Sequence, residues 1–242
     1  MDIYSQIASG NRINTASKDP AGLAISEKLN SQIKGSEKAI DNIASSNNLL
    51  NTADSGLEGV SQGLQRVREL AIQANNGIMT GSDKSMIQSE INEIFKSINT
   101  SAQNTEFNTM KLLDGSFDNK VLGANYQGQG TTMTLENSSL EALGLNGFSV
   151  EGNFDISLID DAISKVQDSR SEIGARSNGF ESQMRQTEVA RESLTAGRST
   201  IADADIAKSM LDLNKEKVVN QYKIAIANKS AEVEKNQLGL LI

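Results

Sequence analysis

The chain has 242 residues, 37% of them apolar and 22% charged, a balance typical of ordered chains that bury a core. Its net charge of -8 argues against nucleic-acid or anionic-membrane partners, which select clustered Lys and Arg. With no His and no Cys, it has no disulfides, no thiolate or imidazole metal ligands and no His- or Cys-based catalytic machinery.

The absence of Trp, the single Pro and the 4% aromatic content leave Leu, Ile, Val, Ala and Met as the apolar mass, which suits helix-to-helix packing. Met1 to Ser5 have neither the basic nor the apolar region of a cleaved signal, so export would use a route without one. No run approaches the roughly 18 apolar residues that span a bilayer.

Asp19 offers an N-cap with Pro20 at the first helical position, and Asn75-Asn76-Gly77 offers a stop. Between them Ile43, Leu50, Leu57, Leu64 and Ala71 recur every seventh residue, with Ala53, Val60, Val67 and Ala74 three residues later, which makes a coiled-coil seam. A helix from 20 to 76 would be about 85 Å long, so the pattern predicts a rod. Ser82 can cap a second helix that folds back, with Ile87, Ile91, Ile94 and Ile98 as its buried stripe.

From 105 to 155, glycines punctuate short segments such as Thr131 to Leu135 that alternate like strands, which predicts hairpins and turns. Ser157 with Asp160 reads as a capping box opening a third long helix. Its register runs through Ile159, Val166, Ile173, Phe180, Leu194 and Ile201. Asp203 and Asp205 cap a terminal helix carrying Ile206, Met210, Leu213, Val218, Tyr222 and Ala225. Residues 203–242 balance six Lys against six Asp or Glu, so this segment can bundle with its own copies without strong repulsion.

The fold class is therefore mainly α: a long antiparallel coiled-coil rod with a small β-hairpin region. The expected divisions are an N-terminal segment 1–19, rod halves 20–104 and 156–202, a β region 105–155 and a terminal helix 203–242. The acid pairs at 160/161 and 203/205 sit at helix starts, where capping explains them better than a cation does. The glycines at 123, 128 and 130 lack the Lys-Ser or Lys-Thr of a phosphate loop, so no metal and no cofactor is expected. The sequons at Asn99, Asn137 and Asn228 are ordinary in a Ser- and Asn-rich chain. The Arg and Glu residues of 65–70 read, on residue chemistry alone, as a solvated helix flank.

Five blocks then fall in one order: Ser9-Gly10-Asn11-Arg12-Ile13-Asn14, Asp19 to Ile25, Leu64 to Ala71, Glu106-Phe107-Asn108 and Asp203-Ala204-Asp205-Ile206-Ala207. They resemble the successive signature blocks of bacterial flagellins. Family members usually carry about two dozen residues before the first block and this chain has eight, which implies a shortened inner helix. The variable outer domains are reduced to 115–155.

The resemblance implies a secreted, non-enzymatic subunit of the flagellar filament that polymerises with its own copies through the terminal helices. It also implies a dedicated flagellar export chaperone on the C-terminal helix, export by the flagellar type III apparatus, and recognition by the flagellin-sensing Toll-like receptor. The receptor site it implies is Arg66, Leu70 and Glu90, flanked by Gln65, Arg68 and Glu69. A hook-filament junction protein, which shares the end sequences, and a secreted coiled-coil adhesin are the alternatives.

Overall fold

The computed structural model describes residues 2–125 and 127–239. Its helices are α1 (Asp2–Ser9), α2 (Pro20–Ala74), α3 (Gly81–Asn104), α4 (Leu140–Leu143), α5 (Ser157–Ala202) and α6 (Ile206–Gly239). Four short strands, β1 (Glu106–Phe107), β2 (Met110–Lys111), β3 (Lys120–Leu122) and β4 (Thr131–Met133), pair antiparallel as β1-β2 and β3-β4. The chain thus has the mainly helical fold with small hairpins that its pattern predicts. It divides into two compact units, residues 35–189 and residues 1–34 with 190–242.

In the 35–189 unit, Ile43, Leu50, Ala53, Leu57, Val60, Leu64, Val67, Ala71 and Ala74 of α2 are all buried. Ile159, Ala162, Val166, Ile173 and Phe180 of α5 and Ile91, Ile98 and Ala102 of α3 join them in one core. Cross-links fix the directions. Arg68, Asp54 and Asn47 of α2 bond in turn to Asp160, Arg170 and Ser177 of α5, so these two helices run antiparallel. α3 is likewise antiparallel to α2, and Gly63 lets it come close, since a Cβ there would lie 2.8 Å from Ile98 Cγ1.

Several local details differ from the sequence expectations. The cap of α3 is Thr80, not Ser82. Thr80 Oγ1 accepts the Asp83 N–H and the Asp83 carboxylate accepts the Thr80 N–H at 2.9 Å, while Ser82 lies inside the helix. The Thr80 hydroxyl bond holds the Asp83 carboxyl below its usual range. On the same helix Ile94 is only partly buried and Phe95 takes its place, edge-on to Phe148 with ring centres 6.3 Å apart.

At the start of α5 the Ser157–Asp160 box does not form. Asp155 accepts the Ser157 N–H at 2.9 Å, and Asp160 turns to Arg68 instead.

The β1-β2 turn places Asn108 and Thr109 at φ of 49° and 64°, closed by a Lys111–Glu106 ion pair at 2.7 Å. α4, unforeseen from the sequence, is capped by Ser139 and ended by Gly144 at φ 82°. The buried Gln88 of α3 pins the following loop, donating to Phe148 O and accepting the Val150 N–H at 2.8 Å.

In the second unit α1 packs on α6. Asp19 caps α2 as expected, accepting the Gly22 N–H at 2.8 Å. α6 opens at Asp205, whose carboxylate accepts the Lys208 N–H at 3.0 Å; Asp203 instead forms an antiparallel bridge with Asn11. Leu194, expected on the α5 seam, is half-buried.

Candidate assembly and recognition surfaces

The exposed flank of α2 carries a charge network. Arg66 donates from Nε and Nη2 to Glu90 Oε1 of α3, at 3.1 and 2.8 Å, and from Nη1 to Glu69 at 3.1 Å. Arg68 Nε reaches Asp160 of α5 at 2.6 Å. The hydrogen bond to Glu90, then that to Glu69, raises the Arg66 pKa above its usual value; the bond to Asp160 does the same for Arg68. About half of the Arg66 and Glu90 side-chain surfaces remain in water, and exposed pairs of this kind contribute little to stability.

Five of the six residues that the resemblance assigns to a receptor site, Gln65, Arg66, Arg68, Glu69 and Glu90, are exposed on this flank. Leu70 is not with them. It is 2% exposed and belongs to the core, because α2 is covered by both α3 and α5 and so buries a stripe wider than the heptad positions alone. Asp160 forms a separate pair with Arg68 on the side of α2 that faces α5, unforeseen because nothing in the sequence links two charges 92 positions apart.

α6 offers a different surface. Among its described side chains only Ser209 and Leu213, near its start, are half-buried. Beyond them Val218, Val219, Tyr222, Ile226 and Val233 are exposed along one side of α6, with Tyr222 67% accessible, and Ile224 is exposed off that side. An apolar row this long in water is a surface for association. Among the described residues there is no group of three metal-ligating side chains, and no helix is long and apolar enough to cross a membrane.

These surfaces define a helical subunit built to associate. Residues 1–118 match the bacterial flagellin N-terminal helical region and residues 156–241 the bacterial flagellin C-terminal helical region. The chain is 31% identical over 255 residues to the flagellar filament core protein flaB2 of Brachyspira hyodysenteriae, spanning 97% of this chain and 90% of that one. It is 34% identical to the flagellin of Bacillus subtilis strain 168, spanning 98% and 90%. The crystal structure of Bacillus cereus flagellin superposes with a TM-score of 0.50 at 25% identity, covering 61% of this chain and 88% of that one.

The chain belongs to the bacterial flagellin family. As a flagellin it is a structural subunit of the extracellular flagellar filament and not an enzyme.

Proposed function

We propose that assembly is driven by α6, whose apolar face is covered by the terminal helices of neighbouring copies of the same chain. The exposed row from Val218 to Val233 carries this reading, together with the even charge balance of 203–242. The same face is the surface an export chaperone would shield before the subunit passes through the type III export apparatus.

The test is a chain ending at Asp203. It should keep the helical content of the 35–189 unit yet form no filaments under salt-induced assembly followed by negative-stain microscopy. Filaments of normal length would overturn the reading. Self-polymerisation of the full chain also separates a filament subunit from a hook-filament junction protein or an adhesin.

A second reading concerns the Arg66 network, proposed as the face read by the flagellin-sensing Toll-like receptor. An exposed arginine already fixed by two carboxylates meets a partner with little ordering cost, and arginines are enriched among the few residues that anchor interfaces. Leu70 supports this face from beneath. Arg66→Ala and Glu90→Ala should each weaken receptor binding at least tenfold with unchanged helical content, measured by titration of the monomer. Wild-type affinity in both variants would return these residues to the role of a solvated flank.

A further inference from the structure

Two of the sequence blocks, Ser9 to Asn14 and Asp203 to Ala207, meet in the structure. α5 runs for 46 residues and ends at Ala202 with no basic residue in its last turn. The last carbonyls of a helix have no partner within it, and they carry the negative end of its dipole. Here Arg12 supplies both needs from the other end of the chain. Its Nη2 donates to Ile201 O at 2.7 Å across 189 positions, and its backbone N–H donates to Ala202 O at 2.7 Å.

The strand of contact continues. The Ala204 N–H returns a bond to Gly10 O at 2.9 Å, and Asn11 pairs with Asp203. Residues 10–14 are themselves held in place. Gly10 takes φ 69° and its N–H bonds to Gln6 O at 2.8 Å, Gln6 Nε2 reaches Arg12 O at 3.2 Å, and Asn14 Nδ2 reaches Ser5 Oγ at 2.7 Å. On the other side Arg198 reaches Asn30 at 3.5 Å and Asp203 at 3.8 Å. Every one of these groups lies in residues 1–34 or 190–242, the same compact unit.

We propose that Arg12 is a latch that closes the C-terminus of α5 and fixes the break at 203–205, so that α6 leaves that break in one direction only. The idea deepens, and rests on, the reading of α6 as the assembly helix. A helix that must pack against copies of itself gains from a fixed exit, because each added subunit would otherwise lose the freedom of the break on docking. The break is three residues long: Arg12 holds the two carbonyls just before it, Asn11 pairs with Asp203 and Gly10 accepts from Ala204, so the segment 10–12 ties down most of it.

The experiment uses the full chain as Arg12→Ala and Arg12→Lys, each first matched to wild type in helical content. Digestion by a broad-specificity protease should cut between Ala202 and Ile206 at least tenfold faster in Arg12→Ala, while fragments from 35–189 appear at the wild-type rate. Arg12→Lys, which keeps a cation and one donor for the Ile201 carbonyl, should fall between them. Filaments of Arg12→Ala should grow more slowly at equal concentration.

Cleavage at the break at the wild-type rate in Arg12→Ala would overturn the latch, whatever the filaments do. A chain ending at Asp203 that still polymerises would instead overturn the role of α6, and the cleavage result would judge the latch separately.

Discussion

Leu57→Ala should lower the stability of the 35–189 unit by about 2 to 5 kcal/mol, the usual loss on truncating a fully buried leucine. For a domain of this size that is a fall of roughly 4 to 20 °C in thermal midpoint. Leu57 is 1% exposed and sits midway along the buried row of α2, with Ala53 and Val60, both inaccessible, on either side. The neighbouring Gly56 is already close to Thr105 and Leu113, a Cβ there falling 2.8 Å from Leu113 Cδ1, so the helices have little room left to collapse into the space. Scanning calorimetry of both chains measures the effect, and equal midpoints would mean that Leu57 faces water.

That prediction needed only the sequence, and the reason is physical. A heptad row in a long helix fixes which residues meet whatever partner the row finds, so α2 could be read from period alone, as could Val166, Ile173 and Phe180 on α5. Caps were harder to place. Thr80 and Ser82 are both competent N-caps, and the choice turned on Asp83, which completes a reciprocal pair only with Thr80. Asp160 was lost to its cap for a similar reason, since Arg68 competes for it from another helix.

Leu70 shows the limit for surfaces. The resemblance placed it with Arg66 and Glu90, but its exposure depends on how many helices cover α2, and three-helix packing turns a flank position into core. The β1-β2 turn was equally hidden. Asn108 and Thr109 adopt positive φ without a glycine, so the strongest hairpin signal is missing from the sequence. The latch at Arg12 joins positions whose pairing no local pattern encodes, although both of its blocks stood out as motifs.

The β3-β4 hairpin yields the other large effect. Gly123 follows β3 at φ 62°, where a side chain costs about 1 to 2 kcal/mol. Its N–H donates to the buried Ser46 Oγ at 2.9 Å, and Ser46 in turn donates to Asn42 O at 2.8 Å, so the backbone cannot relax without breaking a buried bond to α2. A Cβ at 123 would also lie 2.7 Å from Phe180 Cε1, and Phe180 is 4% exposed in the core, so its ring has little space to yield.

Overpacking of this kind typically costs about 1 to 3 kcal/mol. Gly123→Ala should therefore cost about 2 to 5 kcal/mol in all, while Gly128→Ala, at φ 79° with open space around it, should show only the backbone share. Denaturant melts of the two variants beside wild type measure the difference. Equal losses would mean that the hairpin moves off Phe180 freely and is not part of the core that α2 and α5 enclose.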